Sequence, residues 1–174
     1  MTKSMTKSHS RVKVTYLTIT ALFAALVCVT TAFICHIPFG FNGGYIHLGD
    51  TLIYLAAALL PTPYAMAAAA IGGGLADLLT APMWMPATVI IKALLTLMFV
   101  SKKSNIINVR NVIGVFGAGI ISIVGYYIAE VILYGSEAAL FASVTSSLIQ
   151  AIGSGILFVV IGLSFDKMNL KAKF

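Results

Sequence analysis

The chain carries 11 Lys and Arg residues, and their placement limits its fold more than any other feature. Lys3, Lys7, Arg11 and Lys13 precede the first apolar run, Lys102, Lys103 and Arg110 share one central loop, and Lys167, Lys171 and Lys173 come last. Only Lys92 stands apart, inside an apolar segment. With 60% hydrophobic and 9% charged residues and a mean hydropathy of +1.02, the sequence reads as an integral membrane protein. Basic loops stay on the cytoplasmic side of a bilayer. The chain is therefore expected to cross an even number of times before the central loop and an even number after it.

Apolar runs and their breaks give the crossings. The segments predicted to be helical are about 14–36, 47–60, 64–81, 87–101, 111–134 and 138–165. Gly40, Gly43, Gly44 and Pro38 break the chain after the first, Pro61 and Pro63 after the second, Pro82 and Pro86 after the third. The expected fold is one all-α membrane domain over 1–174, six transmembrane helices with both termini cytoplasmic. The second and fourth segments are short for a core about 30 Å thick. The first run is longer than a signal-peptide core and no clear cleavage site follows it, so it is read as a retained helix.

The formal charge of +6 flanks membrane spans, which fits orientation and anionic lipid headgroups better than nucleic acid. Cys28 and Cys35 lie on one helix face, where no disulfide or metal site is expected. No P-loop, H-E-x-x-H, G-x-S-x-G or C-x-x-C motif occurs. The chain is therefore not expected to be an enzyme, to hold a cofactor or metal, or to hydrolyse ATP itself.

Ionisable groups inside a bilayer are costly and are functional candidates by default. Under the expected topology Asp50, Asp77, Lys92 and Glu130 all fall in the outer half, as do His36 and His47 around the first outside loop. The candidate substrate contacts are Lys92, Tyr126, Tyr127, Glu130, Gln150, His47 and Asp77. Each has a structural alternative: Asp77 and Lys92 can neutralise one another between helices, and Asp50 can cap its helix. Gln150 can serve as an interhelical hydrogen bond, His47 and Trp84 as interfacial residues. A one-sided set of polar groups suits a pocket that opens outward better than a path through the membrane. Ala21 and Ala25 share a small face on the first helix, as Ala65, Ala68, Ala69, Gly72, Gly73 and Ala76 do on the third. Such faces let helices approach closely in lipid; for the first helix, packing within the protein and docking on another protein both remain open.

Ala21-Leu22-Phe23-Ala24-Ala25-Leu26, Gly44-Tyr45-Ile46-His47-Leu48-Gly49-Asp50, Gly72-Gly73-Gly74-Leu75-Ala76-Asp77-Leu78-Leu79, Pro86-Ala87-Thr88 and Ile91-Lys92-Ala93 together resemble the substrate-binding S components of energy-coupling factor (ECF) vitamin transporters. The resemblance spans roughly 15–165. It implies a six-helix protein that binds a vitamin or precursor near its outer face and joins one transmembrane coupling (T) subunit and two ABC ATPases. It also implies that Ala21 and Ala25 dock on the coupling subunit. The loop 37–46, with Phe39, Asn42, Gly43 and Tyr45, would cover the solute. The whole subunit would then topple in the membrane while its partner hydrolyses ATP.

Both signs of charge together with tyrosines favour a small polar ring: hydroxymethylpyrimidine or a vitamin B6-like molecule first, then riboflavin. Two other classes compete. A self-contained proton-coupled transporter would use Asp77, Lys92 and Glu130 as a relay, and a structural subunit would bind nothing.

Overall fold

The computed structural model describes the backbone of residues 2–34, 36–38 and 45–173, with side chains for 13–34, 36–38, 47–135 and 144–172. Six α-helices run through the described residues: α1 Thr2–Ala32, α2 Gly49–Leu59, α3 Thr62–Thr80, α4 Met85–Leu95, α5 Val109–Tyr134 and α6 Ser136–Lys167. Short 3₁₀ turns extend α4 at both ends, Pro82–Trp84 and Thr96–Met98. A two-residue antiparallel ribbon, β1 Ile37–Pro38 and β2 Tyr45–Ile46, closes the stretch before α2, with Ile37 opposite Ile46. The first helix begins at Thr2, well before residue 14, and ends at Ala32 rather than 36.

Three of the helices, Lys13–Ala32, Val109–Tyr134 and Val144–Lys167, are long and apolar enough to cross a membrane. Gly49–Leu59 and Pro82–Met98 are shorter apolar helices. At about 1.5 Å per residue, the 11 residues of α2 reach only about 16 Å. That length is possible because α2 meets little solvent or lipid: Ile53, Tyr54, Leu55, Ala56, Ala57 and Ala58 are all buried. A helix apolar all round belongs in the centre of a bundle. The outward faces instead carry a belt of bare apolar side chains, among them Phe116, Ile120, Ile132 and Ile156. Lipid accommodates such a belt where water would not.

Helix periodicity fixes how α1 and α3 meet. Thr20, Phe23, Ala24, Val27 and Thr31 form the buried stripe of α1, spaced three or four residues apart. The facing stripe of α3 is Ala65, Ala68, Ala69, Gly72 and Ala76. A Cβ on Gly72 would lie 2.6 Å from the Ala24 carbonyl oxygen and 2.8 Å from Val27 Cβ, so only glycine allows this backbone approach. α5 and α6 form an antiparallel hairpin through Gly135, whose φ of 88° is open to glycine and strained for other residues.

The basic end of the bundle is tied by polar contacts. The Asp166 carboxylate accepts from the Ile106 and Ile107 amides at 2.7 and 2.9 Å. The Asn111 side chain accepts from Val100 N–H at 2.8 Å and donates to the Ile106 carbonyl at 2.8 Å. Lys171 Nζ donates to the Ala58 carbonyl at 2.7 Å, a cation on the negative end of α2. Burial pushes the Lys171 ammonium below its usual range, and Asp166 opposes that shift. One turn above Ala58, Tyr54 stacks on Phe99 with centroids 4.9 Å apart, and Phe158 meets both rings edge-on.

Gly72→Val should force α1 from α3 and destabilise the protein by about 1–3 kcal/mol, the usual range for overpacking. Ile71→Val, at a position 52% exposed, should be nearly neutral. Unfolding of both variants in detergent, followed by circular dichroism, checks the contrast.

Candidate functional site

At the end of α2 opposite Lys171, five helices and His47, two residues before α2, bring polar side chains together. Asp50 lies in the first turn of α2 and Lys92 in the last turn of α4. Each charge therefore sits where its own helix dipole favours it. They meet as a salt bridge, Lys92 Nζ to Asp50 Oδ1 at 2.7 Å, with both side chains 1% exposed. Gln150 on α6 donates from Nε2 to Asp50 Oδ2 at 2.7 Å, so both carboxylate oxygens are engaged. The Gln150 carbonyl in turn accepts a long bond of 3.4 Å from the His47 amide.

His47 joins the site through its ring as well. Its Nδ1 accepts from Gly49 N–H at 3.0 Å. An amide can only donate, so Nδ1 carries no proton, and a neutral ring holds its hydrogen on Nε2. Thr31 on α1 lies 3.4 Å from the same Nδ1 and has the hydroxyl hydrogen to give it. On the other side of the ion pair, Lys92 Nζ lies 5.2 Å from the centre of the Tyr126 ring, a cation–π contact. The Tyr126 hydroxyl pairs with Thr88 at 3.0 Å. Thr51 anchors α2 to α6 by donating to the Ser154 carbonyl at 3.2 Å.

Such burial is sustainable because the charges cancel locally. Each isolated ion would pay several kcal/mol of desolvation, while a pair with its remaining valences filled recovers most of it. Room for the Lys92 stem comes from Gly73, where a Cβ would stand 3.0 Å from Lys92 Cγ. Beside the pair, Trp84 packs between Tyr126 and Tyr134, with centroids 6.1 and 6.0 Å away. Tyr134 also donates to Met83 Sδ at 2.6 Å.

Several expectations change here. Lys92 forms its ion pair with Asp50, not Asp77; Asp77 is buried on α3 and acts on Lys92 only at longer range. Asp50 does not cap α2, whose N-cap is Leu48 without a side-chain bond. Both of its oxygens face across the bundle instead. Trp84 is not an interfacial anchor: it is 7% exposed and turned inward. Tyr127 is half-buried and makes none of the contacts that join Asp50, Lys92 and Gln150. Glu130 is buried one turn beyond Tyr126 on α5.

Phe39, Asn42 and Gly43 lie outside the described residues, as does the side chain of Tyr45, whose backbone belongs to β2. Ala21 and Ala25 are exposed on α1, off the stripe that packs on α3. The residues that sequence reasoning left out of the site are Asp50, Thr88, Thr31 and Trp84. For Asp50 a signal existed: a lone buried lysine needs a carboxylate at its own depth, and both Asp50 and Asp77 offered one.

Across residues 11–167 the chain matches the family model described as "ECF-type riboflavin transporter, S component". It is also similar to a Pyrococcus woesei protein described as "Uncharacterized protein in gap 3'region". The two are 32% identical over 133 residues, which is 75% of this chain and 87% of that protein.

The ion pair predicts a strong coupling in a double-mutant cycle. Lys92→Met and Asp50→Asn should each destabilise the protein, Lys92→Met by about 3 kcal/mol because it strands a buried carboxylate. The double variant should recover much of that loss. Additive losses measured by detergent unfolding would remove the pair from any structural role.

Proposed function

This chain belongs to the S component family of ECF-type transporters, matching it from residue 11 to 167, and from that premise we propose that it captures a water-soluble vitamin or precursor at the Asp50–Lys92–Gln150 site. S components serve membrane transport in vitamin uptake, and nothing in this chain's motifs supplies an engine. ATP hydrolysis therefore falls to partners, a transmembrane coupling subunit and two ABC ATPases. The basic clusters face the cytoplasm of a bacterium or archaeon and the site faces the exterior, with six crossings between.

One observation carries this reading: a paired polar network buried at one end of a bundle whose other end holds the basic residues. Its members are Asp50, Lys92 and Gln150, with the Tyr126 ring over the ammonium. Beneath them Tyr54, Phe99 and Phe158 fill the core with aromatic rings. A site with an apolar floor suits capture from one side and suits a continuous proton relay poorly. The solute class is a polar ring-bearing molecule. Hydroxymethylpyrimidine and vitamin B6-like molecules fit the mixture of charge and tyrosine, and riboflavin is the vitamin in the family's name.

The exposed alanines of α1 give the partner contact. Ala21 and Ala25 present a face without bulk on the helix side not used by α3, and small faces favour close helix association in lipid. Ala21→Trp or Ala25→Trp should abolish uptake in cells that express the complete transporter, while purified protein keeps its solute affinity. Uptake into vesicles by this chain alone, driven by a pH gradient, would overturn the assignment. So would the lack of any submicromolar binder across a panel of vitamins and precursors.

A further inference from the structure

The buried ionisable groups of the described site offer an anionic solute no free cation. Both oxygens of Asp50 are taken by Lys92 and Gln150, and the ammonium lies between Asp50 and the Tyr126 face. Asp77 and Glu130, 4% and 2% exposed, already have partners of their own. An anion would have to break the pair and enter among three buried carboxylates.

What the site does leave open is neutral. Among the described residues the buried polar atoms without a hydrogen-bond partner are Tyr54 Oη, Trp84 Nε1 and Ser154 Oγ. Tyr54 and Ser154 lie one helical turn past Asp50 and Gln150, toward the basic end, where aromatic packing closes the core. Trp84 is placed differently. It is packed between two rings, Tyr134 at 38% exposed and the partly buried Tyr126, whose face lies over the buried Lys92 ammonium. An indole N–H can only donate, and a buried donor without an acceptor is costly enough that native proteins rarely keep one.

We propose that the Trp84 indole N–H selects the solute, and that the solute is a planar heteroaromatic ring without a carboxylate or phosphate, presenting a carbonyl oxygen or ring nitrogen to it. This rests on the capture reading given above and narrows it. The tilted aromatic rings supply apolar faces for a flat molecule, since offset and tilted arrangements are the favourable ones. The Asp50–Lys92 pair then acts as a fixed dipole beneath the ring instead of a receptor for a carboxylate or phosphate. A site built to hydrogen-bond one substrate atom rejects analogues that lack it far more strongly than a purely apolar pocket rejects a change of size.

The test uses the full chain in nanodiscs, with lumichrome and 4-amino-5-hydroxymethyl-2-methylpyrimidine as uncharged rings, and nicotinate and biotin as carboxylates. Calorimetry should show at least one uncharged ring binding, with Trp84→Phe weakening it about tenfold or more at unchanged melting temperature. The carboxylates should bind at least roughly a hundredfold more weakly, a ratio set by loss of the buried pair. A second readout needs no substitution. The chain has 1 Trp, so its single ¹⁵N-indole resonance should move downfield when the ring binds. Equal affinity in Trp84→Phe, an unmoved indole signal, or tighter binding of a carboxylate overturns the selection proposal and leaves vitamin capture standing. Absence of binding by all four probes to folded protein overturns this proposal, while a binder found elsewhere in a wider vitamin panel would preserve the capture reading.

Discussion

The salt bridge between Asp50 and Lys92 is the constraint around which the bundle is arranged. Its partners lie 42 residues apart, and Gln150, which completes the carboxylate's coordination, lies 100 residues from Asp50. Three helices must therefore reach one point in register before either charge can be buried. A misplacement by one turn, about 5.4 Å, would strand an ion in low dielectric. The apolar surfaces of α2, α4 and α6 are tolerant of sliding by comparison, because Leu, Ile and Ala can repack. The pair thus does for these helices what non-directional packing cannot, and it does so at almost no net charge.

Small residues make that convergence possible. α2 can be short and central only if its neighbours come close, and Gly72 brings α3 against the α1 backbone while Gly73 clears the stem of Lys92. The triplet Gly72-Gly73-Gly74 is thus read by its three neighbours rather than by a ligand: α1, Lys92 and Val89 on α4 each occupy the space where a Cβ would stand. Along α2 the chemistry changes within one helix length. Asp50 serves the site, Tyr54 seals the core against Phe99 and Phe158, and the Ala58 carbonyl receives Lys171 at the basic end.

The helical segments were legible because proline, glycine and charge punctuate the apolar runs, and periodicity picks out each buried stripe. Boundaries were less so. Nothing local stops α1 from winding back to Thr2, since polar Ser, Thr and Lys are all compatible with helix. The site was legible as a set of residues at one depth, and Lys92, Gln150, Tyr126 and His47 do come together. Pairing was not. Asp50 and Asp77 stand at similar depth, and which one meets Lys92 depends on the rotation of α2 and α3 about their axes. Trp84 misled for a related reason: next to Pro82 and Pro86 it looks interfacial, yet the 3₁₀ turn Pro82–Trp84 directs the indole inward.

The same arrangement explains how a charged site is compatible with a subunit proposed to tilt in its membrane. An ion held at a lipid-facing position would resist any change of depth, because its cost varies steeply across the bilayer. Here the two paired ions lie on the two shortest helices, each 11 residues long. Asp50 and Lys92 are 1% exposed, inside a shell whose outward residues are Phe116, Ile120, Ile132 and Ile156. Among the described residues, lipid therefore meets a largely apolar outward surface. Rotation of the body would carry the ion pair along without exposing it, and the opposing energy would come from the basic ends, Lys102, Lys103 and Lys167, which prefer anionic headgroups. Those residues cluster at one end of the bundle, so resistance to tilting is concentrated there.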